Sequence, residues 1–258
     1  MSLTGRSVSA FYKDLLEIDN SNSGVDNTAR QIKSGDGTAS SLYVSKSKIK
    51  VQPLADSTGS VTMNDADGNE KFLIDTTNDY VKALGHHANT QYAYFGALND
   101  IAFSGASANT HYMIPFQRGS MTALAPIGTS TNPDTTLTIS TTADDVVACM
   151  WYIMDRITID RVVWWHSGDA SGSDTTRAHL MSYAVVNDNT STSGDLSGGT
   201  VLADGSDVTN AGYEQAYYQQ MTIQSADVNA GRVVFFVFRS DSVNSDFTIN
   251  ATVKFHLR

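Results

Sequence analysis

The chain has 258 residues, a net charge of −10, 41% hydrophobic residues and 17% charged residues. This apolar content excludes a disordered tail, and the acidic balance argues against general binding to nucleic acids, which requires a basic face. The single cysteine excludes an intramolecular disulfide. The sequence contains no run of 18 apolar residues, the length that would predict a membrane-spanning helix.

Residues 7–18 form the first predicted element, an amphipathic helix. Ser7 can cap its first turn, and apolar residues recur at three- and four-residue spacing on one face. These residues are Val8, Phe11, Tyr12, Leu15 and Leu16. A helix of about 12 residues is marginally stable alone in water, so it must dock on its own domain or on a partner subunit. Because residues 20–37 are polar, we favour a partner and predict an N-terminal anchor domain over 1–52, completed by short strands.

Residues 53–111 are predicted to form a stem of β-hairpins followed by a hinge. The run Asn64-Asp-Ala-Asp-Gly-Asn69 separates two apolar segments and is typical of a hairpin turn. Asp65, Asp67 and Asn69 resemble the start of a calcium loop, but the glycine is misplaced and the closing glutamate is missing, so we predict no metal site. The apolar stem residues are too few to bury a core within one chain. They are Val61, Met63, Phe72, Ile74 and Val81.

The same segments carry a family resemblance. The motif Asp65-Ala-Asp-Gly-Asn69, followed by Phe72 and by Ile74-Asp-Thr76, resembles the stem hairpins of trimeric fibres and spikes of tailed bacteriophages. The opening run Phe11-Tyr-Lys-Asp-Leu-Leu-Glu-Ile-Asp-Asn-Ser-Asn-Ser-Gly24 resembles N-terminal segments of virion structural proteins from marine phages. The resemblance covers residues 4–95 and, more loosely, the C-terminal part. It implies a homotrimer, in which three chains bury the apolar stem residues together, and attachment to capsid or tail proteins. It supplies no catalytic residues.

The C-terminal domain, residues 112–258, is predicted to be an antiparallel two-sheet sandwich of the jelly-roll type. Phe247–Leu257 alternates apolar and polar residues without a break, which is the pattern of a half-buried strand. It follows the apolar run Gly231–Arg239 across a polar turn, and such a hairpin needs further strands to cover it. Further predicted strands are Tyr112–Gln117, Thr135–Ser140, Val146–Tyr152, Arg156–His166, Thr175–Val186, Thr200–Ala203 and Tyr217–Ile223. The core candidates are Trp151, Trp164, Phe235, Phe247 and Phe255.

The carboxylates, the cysteine and the histidines form no catalytic or cofactor-binding pattern in the sequence. The sequence contains no nucleophile elbow, phosphate-binding loop or dinucleotide fingerprint. The neighbouring carboxylates Asp144, Asp145, Asp155 and Asp160 are expected to cap turns, and Cys149 is expected to be a buried thiol. The histidines have no metal-ligand spacing. We therefore predict a non-enzymatic protein without a metal or a cofactor.

Aromatic residues mark a predicted ligand-binding or interface surface in the C-terminal domain. Trp164 and Trp165 are consecutive, so in a strand one side chain faces the core and the other faces outward. Tyr213, Tyr217 and Tyr218 stand beside side-chain amides, a combination that suits either sugar stacking or a subunit interface. Both readings stay open at the level of the sequence.

Together, these patterns and the resemblance predict a mainly β virion structural protein with an anchor helix, a hairpin stem and a sandwich head. We expect a homotrimeric appendage, fibre-like or decorating the capsid, that is made in the host cytoplasm and docks on the particle through its N-terminal region. An alternative keeps this architecture and makes the head a module that binds a host receptor or a surface glycan. A polysaccharide-cleaving enzyme is a third hypothesis.

Overall fold

The computed structural model of the chain describes residues 15–21, 23–96, 101–102, 107–117, 123–139, 143–168, 173–211, 215–241 and 246–258. Its described secondary structure is mostly strand and its sheets are antiparallel, which confirms the predicted mainly β class. The chain divides into two compact units, Met1–Ala88 and Asn89–Arg258. Each unit holds two sheets.

The first unit contains two four-stranded meanders, in which strands that neighbour one another in the sheet also follow one another in the chain. The first meander comprises β1 (Leu16–Ile18), β2 (Arg30–Ser34), β3 (Ala39–Val44) and β4 (Ile49–Val51). The second meander comprises β5 (Val61–Asn64), β6 (Glu70–Asp75), β7 (Tyr80–Ala83) and β8 (His86–His87).

The turn between β5 and β6 is the plain hairpin turn that the sequence predicts. The Asp65 carboxylate accepts hydrogen bonds from the backbone amides of Asp67 at 3.1 Å and Asn69 at 2.8 Å. Gly68 takes the left-handed conformation that closes the turn, with φ 85°. Lys71 Nζ lies 3.0 Å from the same carboxylate. The side chain that a calcium loop would offer first is thus used to fix the turn.

The predicted N-terminal helix is wrong at its C-terminal end, because Leu16–Ile18 is strand β1. In the pairing with β2, Ile18 lies opposite Ile32 and Glu17 lies opposite Lys33. An apolar pair and an opposite-charge pair both stabilise neighbouring strands, and this tertiary pairing outweighs the helical spacing of the apolar residues.

The second unit is built from two larger sheets. Sheet I comprises β9 (Thr90–Gly96), β10 (Ile101–Ala102), β13 (Ile157–Gly168), β17 (Tyr217–Gln220), β19 (Asp227–Val228) and β21 (Asp246–Leu257). Sheet II comprises β11 (His111–Ile114), β12 (Trp151–Tyr152), β14 (Thr175–Val185), β15 (Leu196–Asp204), β16 (Val208–Thr209), β18 (Thr222–Ile223) and β20 (Arg232–Ser240).

The strands of the second unit pair in a nested order, in which early strands pair with late strands and the middle strands pair with each other. β9 pairs with β21, β11 with β20, β13 with β17, and β14 with β15. Within sheet I, β21 lies between β9 and β13, and within sheet II, β20 lies between β11 and β14. Strand β9 comes from the range 53–111 that the sequence assigns to stem and hinge, and its pairing makes it part of sheet I.

The core of the second unit lies between its two sheets. Trp164 of sheet I packs against Phe236 and Phe238 of sheet II, with ring centroids 6.2 and 5.8 Å apart. The predicted core residues Trp151, Trp164, Phe235, Phe247 and Phe255 are all buried, as predicted. Truncation of a buried phenylalanine to alanine typically costs about 3–5 kcal/mol, so Phe236 and Phe238, which pack on Trp164, hold the two layers together.

A second apolar cluster covers the other face of sheet II. Helix α1 (Ala143–Cys149) and the segment around Ala125 and Ile127 pack on Phe235 and Val237. The predicted strand at Val146–Tyr152 is therefore wrong over its first four residues, which belong to α1. Among the described residues, no helix is long and apolar enough to span a bilayer.

Candidate functional site

The outward face of sheet I carries the most distinctive exposed side chains of the second unit. Side chains alternate along each strand, so the buried Trp164 faces the core and Trp165 faces outward, as the sequence predicts. Trp165 lies directly across from Tyr218 of β17 on one side and from Asn250 of β21 on the other. The sheet therefore places two rings and an amide in one row across three strands.

The ring pair in this row is exposed and held in place. Trp165 and Tyr218 are 48% and 47% exposed, and their ring centroids are 4.7 Å apart at an angle of 50°. Arg161 Nη2 donates a hydrogen bond to Tyr218 Oη at 3.1 Å. Such tilted ring contacts are favourable geometries for aromatic pairs, so the two rings support each other in a defined orientation.

Two further tyrosines extend this face along β9. Tyr94 lies across from Thr252 and Tyr92 lies across from Lys254, and both tyrosine side chains are about half exposed. A surface hollow of about 370 Å³ lies beside Tyr94, lined also by Phe95, Gln117 and Asn250.

Gly96 keeps the backbone of β9 close to β21 at this hollow. A Cβ atom on residue 96 would lie 2.8 Å from the carbonyl oxygen of Ile249, so no larger residue fits without displacing backbone. Gly96 also lies directly opposite Asn250, and its lack of a side chain leaves the Asn250 amide uncovered from that side.

Beneath the exposed row, His166 is buried between two stacked rings. Its centroid lies 4.7 Å from that of Trp164 and 5.0 Å from that of Tyr217, with interplanar angles of 15° and 18°. The Nε2 atom lies 3.2 Å from Asn210 Oδ1 and 3.1 Å from Thr176 Oγ1. Burial lowers the pKa of His166 to about 4, and the hydrogen bond that its Nε2 donates to Asn210 Oδ1 offsets this only in part.

Besides His166, a pair of buried histidines lies in sheet II. The rings of His111 and His179 meet edge to face with centroids 5.0 Å apart, and His179 Nε2 lies 3.1 Å from Asp204 Oδ1. Arg177 binds the same carboxylate at 2.8 Å. Burial lowers the pKa of both histidines, and at His179 the charge of a protonated His111 would lower it further. The neutral forms of both histidines are therefore favoured, and at neutral pH the Asp204 carboxylate forms its salt bridge with Arg177.

The carboxylates and the thiol noted in the sequence serve in local structure. Asp145, in the first turn of α1, accepts a hydrogen bond from the backbone amide of Ala123 at 3.2 Å. Asp160 lies 3.0 Å from Nδ1 of His256. Cys149 is buried, as predicted, and burial raises the pKa of its thiol well above the usual range, which disfavours the reactive thiolate.

The predicted stem residues share one face of the second meander. Val61, Ile74 and Val81 form one cross-strand row, and Met63 and Phe72 form the next row, which Ala83 completes. Side chains directly opposite each other, and those two residues apart, point to the same side of a sheet. Met63 is 64% exposed, and the other four predicted residues are half-buried.

The first meander presents a similar apolar face. Leu42 lies across from Val51 and Val44 lies across from Ile49, which places four apolar side chains on one side of the β3–β4 hairpin. Ile49 is 74% exposed, and Leu42 and Val51 are exposed as well. Sequence reasoning noted these residues as strand formers and did not identify them as a surface.

The remaining predicted site residues divide between described and undescribed parts of the chain. Val8, Phe11, Tyr12 and Tyr213 lie outside the described residues. Leu15 is half-buried and directly precedes β1, in which Leu16 is exposed. Of the predicted ligand or interface surface, Trp165 and Tyr218 lie together on the outward face, whereas Trp164 and Tyr217 belong to the inner side of sheet I.

Tyr92, Tyr94 and Asn250 were missed by the sequence reasoning. The alternation Gln91-Tyr-Ala-Tyr-Phe95 contains the signal, because the small Ala93 between the two tyrosines marks the buried side of a strand. Nothing in the sequence places this strand beside β21, from which it is separated by more than a hundred residues. In comparisons with known proteins, the chain matches no protein-family model and no curated protein.

Proposed function

We propose that the chain is a non-enzymatic structural subunit of a tailed-phage virion, a homotrimeric appendage that docks through its N-terminal unit and displays a jelly-roll head. The observation that carries the proposal is the contrast between the two units. Among the described residues, the first unit has exposed apolar sheet faces and one buried hydrophobic side chain, whereas the second has an apolar core between two sheets.

Within its described residues, the first unit leaves apolar side chains of both meanders uncovered. Among its described residues, Leu73 is the one fully buried hydrophobic side chain, and it points away from the face formed by Phe72 and Ile74. Small sheets need a covered apolar face to be stable in water. Exposed Met63 and Ile49 therefore call for a partner surface.

Copies of the same chain are the simplest partner. A cyclic trimer brings three identical faces around one axis, so a face too small to form a core in one chain becomes part of a shared core of three. The meanders suit such an arrangement, because each strand pairs with the next strand of its own chain and none of them has to cross between chains.

The jelly-roll head is supported by the nested strand pairing of the second unit. Folding a long antiparallel ribbon so that first and last strands pair distributes alternate strands between two sheets, which is the arrangement found in double-sheet jelly rolls. A head of this kind is self-contained, because its core rings are buried within the unit itself.

The oligomeric state of the full chain tests the proposal. Sedimentation equilibrium is expected to give the mass of three 27.8 kDa chains. A monomer at micromolar concentration would remove the basis of the proposal. Gold labelling of the second unit on phage particles, viewed by electron microscopy, is expected to decorate the capsid or the tail; unlabelled particles would exclude a virion subunit.

A further inference from the structure

The outward face of sheet I has a composition that differs from the rest of this acidic chain. It consists of three cross-strand rows, which we call the ring face. They are Tyr218–Trp165–Asn250–Gly96, Gln220–Val163–Thr252–Tyr94 and Arg161–Lys254–Tyr92. These rows contain four exposed rings, amides, a hydroxyl and two cations, and no carboxylate, although the chain has a net charge of −10.

The rings lie at the two sides of this face and polar groups lie between them. Trp165 and Tyr94 are separated by two strand spacings, about 10 Å, and by two residues along the strand, about 7 Å. Asn250 and Thr252 of β21 occupy the space between. Two stacking positions separated by hydrogen-bonding groups suit a ligand that repeats both features along its length.

We propose that the ring face binds an oligosaccharide of pyranose sugars. Trp165 and Tyr218 stack on one sugar, Tyr94 stacks on another, and Asn250 hydrogen-bonds to hydroxyl groups between them. The faces of aromatic rings carry a negative quadrupole, which attracts the polarised C–H bonds on the apolar side of a pyranose. Amides and hydroxyls then pair with the sugar hydroxyls, and the hollow beside Asn250 leaves room for a substituent.

The chemistry of the ring face favours a sugar over other occupants. The core of a protein–protein interface is more apolar than the surface around it, and here polar side chains separate Trp165 from Tyr94. Nucleic acid binding depends on many phosphate contacts, and the ring face has only Arg161 and Lys254. The absence of carboxylates from the rows also means that an anionic sugar is not repelled.

Two of the four rings of the ring face are held in a defined orientation before any ligand binds. Trp165 packs on Tyr218, which Arg161 holds by a hydrogen bond, and all three lie on paired strands. Rings fixed in advance lose little conformational freedom on binding, which is how a shallow surface reaches useful affinity. The inference concerns only the second unit and does not rest on the trimer proposed above.

Tryptophan fluorescence of the full chain tests the inference directly. Trp165 is the one exposed tryptophan of the three, all of which are described, so quenching by acrylamide reports on the ring face. The chain is titrated with a panel of neutral and anionic oligosaccharides. We expect at least one of them to protect Trp165 from acrylamide; a panel with no protecting or binding member overturns the proposal.

Substitutions then locate the sugar, with affinity measured by calorimetry. Trp165→Ala and Tyr94→Ala, which lie on different strands, are each expected to weaken binding at least about tenfold. Tyr152→Ala removes an equally exposed ring from sheet II and is the matched control, expected to leave affinity unchanged. Unchanged affinity in both ring-face variants overturns the proposal, as does capture of a protein through Trp165 when no sugar binds.

Melting temperatures confirm that the variants are folded, and Trp165→Phe, which keeps a ring, is expected to retain binding.

Discussion

His166 shows how a single buried side chain makes a β domain sensitive to acid. The ring is stacked between Trp164 and Tyr217, and burial lowers its pKa from 6.5 to about 4. In the unfolded chain the same imidazole has its ordinary pKa of 6.5. Between these two values the unfolded state binds the extra proton, so the free energy of unfolding rises with pH.

We expect the second unit to lose stability as the pH falls from about 6.5 to about 4. The loss attributable to His166 is about 3 kcal/mol, because each unit of pKa difference corresponds to about 1.4 kcal/mol. His111 and His179 act in the same direction, since burial lowers the pKa of both. Urea unfolding followed by tryptophan fluorescence at several pH values measures the effect.

His166→Gln is expected to flatten this pH dependence, whatever its effect on stability at pH 8. The exposed His86 provides the control, and His86→Gln should leave the slope unchanged. An identical slope in wild type and His166→Gln would show that the stacked imidazole is not the group that takes up the proton.

Gly199 marks a position where even one methyl group is too large. A Cβ atom there would lie 2.5 Å from Cε1 of Tyr183 and 2.7 Å from the Cα atom of Thr135. The Tyr183 ring cannot move away freely, because it is fully buried and its hydroxyl donates to the carbonyl of Asp134 at 2.7 Å.

We therefore expect Gly199→Ala to destabilise the second unit by about 1–3 kcal/mol, the usual cost of overpacking. Thermal unfolding followed by tryptophan fluorescence checks this. Gly59→Ala is the reference, since its Cβ would make only an ordinary contact of 3.5 Å with Thr62. Equal melting temperatures for the two variants would mean that Tyr183 has room to shift.

At the scale of elements, the second meander is organised by one apolar face. Phe72 and Ile74 of β6 lie at its centre, between the residues of β5 and β7 that complete the two cross-strand rows. Thr62 of β5, directly opposite Leu73, points to the other side and is exposed. The sheet thus offers a matched pair of positions for testing which side is the interface.

Ile74→Asp is expected to weaken self-association of the chain at least about tenfold, because it would bury a carboxylate among three apolar faces. Thr62→Asp adds the same charge on the opposite side and should leave association unchanged. Sedimentation velocity over a range of concentrations compares the variants. Association that is equally strong in Ile74→Asp would place the interface elsewhere.

Elements differ in how well the sequence predicts them, because a long periodic pattern identifies a strand and a short apolar run fits either a strand or a helix. The strand at Phe247–Leu257 was predicted almost to the residue because its alternation extends over eleven positions. Helix α1 was predicted as a strand, since Val146-Val-Ala-Cys149 is a short apolar run. The informative signal was the pair Asp144-Asp145, because carboxylates in a first turn stabilise a helix. Val147, 62% exposed beside the buried Val146, reflects helical spacing.

At the scale of the molecule, the two units differ in how their apolar side chains are covered. The second unit buries an apolar core between its own sheets, whereas the described residues of the first expose apolar faces. Removal of residues 1–88 is therefore expected to leave a folded, monomeric second unit. Near-ultraviolet circular dichroism and sedimentation measure fold and mass, and an insoluble or trimeric fragment would contradict this division.

The sequence predicts the two-layered second unit, and it predicts the ring face only in part. Trp165 could be assigned an outward position because side chains alternate along a strand. Tyr218 could be grouped with it because both residues lie in predicted strands of the same domain. Tyr94 and Asn250 could not be joined to them, because a pairing between strands so far apart in the chain leaves no local signal. For the same reason the segment of β9 was assigned to the hinge, although it belongs to sheet I.

The position of β21 between β9 and β13 has a consequence for biosynthesis. When a ribosome has translated as far as Ser240, every other described strand of sheet I has been made, yet β9 and β13 still lack the strand that joins them. Sheet I can close only after residues 246–257 leave the exit tunnel. Until then, β9 and β13 each present an unpaired edge to nascent copies on the same polysome.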